Sequence, residues 1–253
     1  MIDTHCHLDF PVFDVDREAV WERARAAGVQ AALIPAVRLV DFGRVVGLRA
    51  ADRAIALGLH PVFLADHPED ALERLEGWLQ RDKPLAMGEI GLDCLLPRES
   101  FAAQLVLLEG QLQLAKRYDL PVLLHVRRAH EPVLALLRRL DFRRGGIVHA
   151  YSGSLEQARI FIRMGFCLGF GGVVTQRYAT RVRMVAASVE ETALVMESDA
   201  PDLPPAGHER ARNEPAWLSE VLEMLAQLRG VAPEALIAAT TRNARRVLGW
   251  REG

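Results

Sequence analysis

Cysteine, lysine and any excess of charge are what this 253-residue chain has least of. Its three cysteines, Cys6, Cys94 and Cys167, are odd in number, widely spaced and without a C-x-x-C pair. That excludes a disulfide framework and a thiolate zinc site, and a reducing cytosol is the compartment expected. Lys83 and Lys116 are the only lysines, and 31 Lys+Arg set against 33 Asp+Glu leave a formal charge of -2. No overall field therefore draws the chain to nucleic acid or to an anionic membrane, and any phosphate it binds must be gripped locally, as arginine forks do. No apolar run approaches the roughly 18 residues that suggest a membrane span. No basic-then-apolar leader precedes the first apolar run, so an unprocessed, membrane-free, cytoplasmic protein is expected.

What is present is alternation. Eight short runs rich in Val, Ile and Leu ("MIDTHCH", "QAALIPA", "AIALGLHP", "PLAMGEIGLD", "PVLLHVR", "GIVHAYSG", "FCLGFGG" and "ALVMESDAP") alternate with longer stretches of helical period. "DREAVWERARAAG" starts at an acidic residue and stops at Gly28, and "FAAQLVLLEGQLQLAKRYDLP" carries its apolar stripe to Tyr118 before Pro121. Apolar on both sides, the runs read as parallel strands buried on both faces. Eight strand–helix units close naturally into a single (β/α)₈ TIM barrel, here spanning residues 1–253, with a doubly wound open sheet as the runner-up.

Polar residues interrupt the runs mainly at their C-terminal ends: His5 and His7, His60, Glu89, His125, His149 and Asp199. In a (β/α)₈ barrel these ends converge on the face where active sites are built. A strand sends alternate residues to one face, so the His-x-His of "MIDTHCHLDF" aims two imidazoles at one point, and Cys6 between them faces the packing behind. Any one of these residues could simply cap a carbonyl or pair with an arginine. Four imidazoles and two carboxylates at one barrel mouth instead match a dinuclear site for borderline divalent ions such as zinc or manganese, magnesium fitting less well. Such a pair needs a bridging anion. Lys116 falls in an expected helix and Lys83 in the loop before the fourth strand, which leaves Glu89 as the bridge. Asp199, at the end of the eighth run, is placed to bind one ion and to accept a proton from the attacking water.

The motifs together are specific. "DTHCHLD", "GLHP", "GEIGLD", "LPVLLHVRRA", "VHAYSGS", "ESDAP", "RNEP" and "TTRNARRVLG" span essentially the whole chain, which by them resembles the TatD-type metal-dependent hydrolases of the amidohydrolase-like superfamily, often described as deoxyribonucleases. The resemblance implies the same metal ligands: His5, His7, Glu89, His125, His149 and Asp199. It implies phosphodiester hydrolysis, with His60 of "GLHP" and Arg127 of the H-x-R segment near the substrate and Arg212 of "RNEP" a weaker phosphate contact. Cys94 after "GLD" and Arg128 after the H-x-R arginine depart from the common pattern, and "HVRRAHE" and "SDAPDLP" look more like a YjjV-like branch.

Three readings follow. The first is a divalent-metal hydrolase, a deoxyribonuclease that cleaves phosphodiester bonds with water activated by two metal ions and acts on DNA ends or short single-stranded DNA. The second keeps the metals and changes the bond to that of a small amide, lactone or phosphoester, since one barrel serves many chemistries. The third is a non-enzymatic metal-binding scaffold, disfavoured because structural sites are usually closed. No obligate protein partner is evident.

Overall fold

A computed structural model describes residues 1–250; residues 251–253, the last of the expected barrel domain, lie outside the described residues. The eight apolar runs each supply one strand: β1 (Ile2–Asp3), β2 (Ala31–Pro35), β3 (Arg53–Leu57), β4 (Ala86–Asp93), β5 (Val122–Arg127), β6 (Gly146–Val148), β7 (Phe166–Phe170) and β8 (Leu194–Met196). They pair in sequence order, every neighbour parallel. Thr4 N donates to Met196 O at 3.0 Å and Asp199 N to His5 O at 2.9 Å, so the first and last strands meet and the sheet forms a barrel, not an open sheet.

Around it run α1 (Arg17–Ala26), α2 (Phe42–Gly47), α3 (Ala71–Asp82), α4 (Phe101–Arg117), α5 (His130–Arg139), α6 (Leu155–Arg163), α7 (Thr180–Ser188), α8 (Leu218–Arg229) and α9 (Pro233–Leu248). Local chemistry sets their ends. α1 begins after Asp16 and gives out before Gly28, which adopts φ +90°. α6 opens on a capping box in which Ser154 Oγ accepts from Gln157 N and Gln157 Oε1 accepts from Ser154 N. α9 starts on Pro233 and stops at left-handed Gly249. No helix among the described residues is long and apolar enough to cross a membrane.

The barrel interior explains why one end carries the polar residues. Ile2, Leu33, Ala56, Ala86, Leu123, Ile147, Cys167 and Val195, one from each strand, form a buried apolar cluster with Ala244, Val247 and Leu248 of α9. The strands' early ends are thus plugged by a helix. Two residues further on, at the same strand face, the interior turns polar: His125 follows Leu123, His149 follows Ile147 and Glu197 follows Val195. The larger apolar cluster, with Cys6, Trp21, Phe42 and Leu112, lies among strands and surrounding helices.

Two local departures from plain alternation position the site. β4 slips register against β5 between Met87 and Ile90, three residues spanning what Val122 and Leu124 span in two. Such a bulge re-aims a side chain, and here it places Glu89 at the mouth. β1 is shorter than the run "MIDTHCH" suggests: it ends at Asp3, and His5 and His7 lie just beyond it. They remain anchored because Cys6 N donates to Leu33 O at 3.1 Å and His7 N to Ala200 O at 2.8 Å.

Gly91 is where β4 and β5 approach most tightly at this level. A Cβ there would meet His125 O at 1.9 Å and His125 C at 2.7 Å, both rigid backbone. Gly91→Ala is therefore expected to lower stability by at least about 1–3 kcal/mol, the usual cost of overpacking. Urea unfolding checks it, and an unchanged midpoint at an unchanged slope would contradict the contact.

Candidate metal centre

Glu89 is the hub. It is buried among five imidazoles, and its two oxygens divide them. Oε2 lies 3.2 Å from His5 Nε2 and 3.5 Å from His7 Nε2. Oε1 lies 3.1 Å from His125 Nδ1, 3.1 Å from His149 Nε2 and 3.2 Å from His60 Nε2. Asp199 Oδ1 completes the first half, 3.6 Å from His5 Nε2 and 3.8 Å from His7 Nε2. The cluster forms part of the wall of a cavity of about 530 Å³ that Phe10, Phe63 and Phe170 also line.

Among the described residues, three groups of side chains bring donor atoms close enough to hold a cation: His5, His7 and Asp199; His60, Glu89 and His125; and His5, His149 and Glu197. The donor chemistry suits a borderline divalent ion. His7 Nδ1 faces the carbonyl of Pro35 at 3.2 Å; a carbonyl only accepts, so Nδ1 carries the proton and the Nε2 lone pair faces inward. There it meets His5 Nε2 at 3.1 Å and Glu89 Oε2. Acceptors crowded together in this way are relieved by a proton or by a cation.

The electrostatics run the same way. Burial works against charge on His7, yet the Glu89 carboxylate overcomes it, with Asp199 and Asp9 adding, and lifts its pKa to about 9. His149 is likewise raised well above the ordinary histidine value, Glu89 and Asp199 outweighing burial. Burial, then the neighbouring charge of His149, pushes His5 down to about 3, because imidazoles sharing one carboxylate cannot all be charged. Burial alone would raise Glu89, but His60, His149 and His5 hold it well below the usual carboxylate range. Asp199 is lifted to about 7 by burial and secondarily by Glu89, against the pull of His149 and His7.

His60 differs from its neighbours. Its Nδ1 accepts from Val62 N at 3.1 Å, so the neutral ring carries its proton on Nε2 and donates toward Glu89. A nitrogen that bears hydrogen offers no lone pair to a cation, which suits a hydrogen-bonding role better than ligation. His67 supports it from behind, its Nε2 lying 3.1 Å from His60 O.

The other expected site residues separate cleanly. Arg127 lines the cavity with its side chain 60% exposed, 3.9 Å from Asp93 Oδ2. Arg212 is not brought to the cavity. Its guanidinium spans both oxygens of Asp16 at 2.7 Å, reaches Glu214 at 2.9 Å and lies over the Phe13 ring. Arg128 and Cys94 are exposed and do not line the cavity. His130 packs edge-on against Tyr151, and His208 pairs with Glu220 while stacking on Trp217, both apart from the cluster.

Two carboxylates were not anticipated. Asp93 Oδ2 holds His125 Nε2 at 3.2 Å, and its Oδ1 accepts from Leu95 N. Glu197 lies behind His149, Oε1 being 3.5 Å from Nδ1. Both belong to quoted motifs, "GEIGLD" and "ESDAP", and the available signal was their spacing, four residues after Glu89 and two before Asp199.

The chain is similar over nearly its whole length to known proteins. The family described as TatD related DNase matches residues 2–249. The chain is 42% identical over 246 residues to the metal-dependent hydrolase YjjV of Escherichia coli K12, covering 96% of this chain and 95% of that protein. It is 33% identical to the 3'-5' ssDNA/RNA exonuclease TatD of Cronobacter sakazakii, covering 98% and 97% respectively. The crystal structure of the E. coli YjjV TatD homologue superposes with a TM-score of 0.95 at 41% identity, covering 99% of this chain and 98% of that one. A family match over nearly the whole length, on a barrel whose mouth gathers five imidazoles around a buried carboxylate, makes the chain a member of the TatD family of metal-dependent hydrolases.

Proposed function

We propose that the chain hydrolyses phosphodiester bonds at the ends of short or single-stranded nucleic acid, using two divalent ions held at the barrel mouth. The observation that carries this reading is the division of labour at Glu89: one oxygen faces His5 and His7, the other His125 and His149. His5, His7 and Asp199 would hold one ion, His125 and His149 the other, and Glu89 would bridge them. Zinc or manganese suits four imidazoles better than magnesium does. When bound, such ions polarise a phosphoryl oxygen and lower the pKa of water enough for attack at neutral pH.

The chain's own residues supply the rest. Asp199 borders the cavity with its carboxylate beside His5 and His7, which fits it to take the proton of the attacking water. His60, fixed as an Nε2–H donor, is available to a substrate oxygen near Glu89. The three phenylalanines give a flat base an apolar wall. Arg127 is the one Lys or Arg side chain among the described cavity-lining residues, enough for a single phosphate and too little for a long duplex. The relative from Cronobacter, named for single-stranded DNA and RNA, supports that substrate class. Arg212 enters the reading only indirectly, through the Asp16 and Glu214 pairs that fix its loop. The three free cysteines fit a reducing cytosol, and residues 1–253 are read as one barrel domain.

The test is a labelled single-stranded oligonucleotide run beside its duplex and a panel of small amides, lactones and phosphoesters, with each divalent metal in turn. Shortening of the single strand from its ends, with a shallow dependence on salt, is the expected result. Turnover of an amide or lactone with none of the oligonucleotide would replace this reading by one of small-molecule hydrolysis, which the cavity's size and single arginine also accommodate.

Arg127→Ala separates phosphate binding from metal binding. A guanidinium fork pairs with phosphate oxygens and cannot ligate a cation, so KM for phosphorylated substrates should rise about tenfold or more, the loss of one charge-assisted contact. Metal content should stay intact. Loss of metal from this variant would show that Arg127 supports the ligands and not the substrate.

A further inference from the structure

We infer that Glu197 is a positioning residue that sets the orientation and the protonated nitrogen of two imidazoles at once, those of His5 and His149. The inference rests on the metal reading above and concerns how the chain prepares its ligands. Glu197 is fully buried, two residues beyond Val195 in the interior of the barrel. Its Oε1 accepts from Ala150 N at 2.5 Å and lies 3.5 Å from His149 Nδ1. Its Oε2 has no hydrogen-bond partner, and neither has His5 Nδ1 nor His149 Nδ1. A nitrogen of His5, a nitrogen of His149 and an oxygen of Glu197 all lie within 4.8 Å of one another.

The two rings explain why one carboxylate can serve both. They stack with centroids 4.0 Å apart and planes 18° apart, and their Nε2 atoms both face Glu89. Corresponding edges therefore point the same way, and Nδ1 of each is the nitrogen turned from Glu89. A neutral imidazole carries a single proton. If a carboxylate holds that proton on Nδ1, Nε2 presents its lone pair outward, as a metal ligand must. A buried carboxylate oxygen and two buried ring nitrogens each forfeit a bond while left apart, and a small closing of the gap between them would let them satisfy one another. Gly169 on the neighbouring strand makes room for this, since a Cβ there would lie 2.1 Å from Glu197 Oε2.

The experiment uses the zinc-loaded full chain. Zinc affinity is measured by chelator competition, and the imidazole nitrogens are assigned by ¹⁵N–¹H correlation. The parent should show Nδ1–H protons on both His5 and His149. Glu197→Gln keeps the shape but offers one acceptor oxygen and an NH₂ group that itself donates, so at least one ring must lose its Nδ1–H bond. Zinc affinity should then fall about 10- to 100-fold, with a cooperative thermal transition retained. Gly169→Ala crowds the carboxylate without removing it and should weaken zinc binding in the same direction, so a Gln variant that fails to fold leaves the question open to measurement. An Nε2–H signal on either histidine of the zinc-loaded parent overturns the inference whatever the variants do, as does affinity unchanged within twofold in a folded Gln variant. Loss of one whole ion with the remaining affinity unchanged also overturns it, because Glu197 would then be a ligand. A parent that binds no zinc or other divalent ion at all would instead sink the metal reading itself.

Discussion

Asp199→Asn should lower turnover by at least roughly 10²–10⁴-fold while the barrel stays folded, the range that general-base contributions cover. The substitution keeps the side chain's shape and one oxygen, and it removes the carboxylate's basicity. Asp199 occupies the place where that basicity matters. It borders the cavity, its Oδ1 lies within 3.8 Å of the Nε2 atoms of both His5 and His7, and its backbone N–H is tied to His5 O. Its carboxylate is buried against those imidazoles and opens on the cavity, where it can take the proton of a water. Steady-state turnover should be measured with metal content determined on the same sample. Near-normal turnover at full metal loading would remove Asp199 from the role of base.

Glu89→Gln is expected to have the other large effect, on metal binding first and on rate as a result. Each Glu89 oxygen faces a different set of imidazoles, so replacing one of them by NH₂ turns an acceptor into a donor on one side and removes the charge from both. Occupancy of both ions should fall together, and hydrolysis should fall by more than the hundredfold that a single lost electrostatic contact often costs. Loss of one ion alone would assign Glu89 to that ion and deny the bridge. Full loading of both would sink its role as a ligand altogether. Chelation of the parent followed by metal restoration provides the matching control, with activity lost and recovered in step with metal content.

A difference between these two variants would locate the chemistry. Asp199→Asn that keeps metal and loses turnover, beside Glu89→Gln that loses both, assigns proton acceptance to the rim and metal assembly to the buried hub. Arg127→Ala, with metal and turnover intact and KM raised, would complete a series from hub to rim to substrate.

Much of this was already determined by the sequence alone. Eight runs apolar on both sides read as strands covered on both faces, and their alternation with helices favoured a barrel over an open sheet, a choice that the meeting of the first and last strands decides. Because an apolar strand turns polar mainly where its end reaches solvent or a site, His60, Glu89, His125, His149 and Asp199 mark the mouth in the sequence itself. Lys116 and Lys83 fell where helix period and loop composition put them, within α4 and at the left-handed end of α3. What the tertiary structure decided depends on relations between strands, which one-dimensional periodicity does not carry. The register slip in β4 that turns Glu89 inward exists only against β5. The proton on His60 Nε2 is set by a backbone N–H two residues on, in a turn whose shape the neighbours impose. Asp93 faces a ring nitrogen of His125 from the adjacent strand, and Glu197 reaches one of His149 across β7, so their roles arise from the closed barrel and not from spacing along the chain. Arg212 of "RNEP" reads equally as a phosphate contact or as a structural salt bridge, and only packing of its loop against α1's N-terminus decides for the salt bridge, with Asp16 and Glu214. Side-chain periodicity reports which face is buried; which partner waits on that face is a property of the closed barrel.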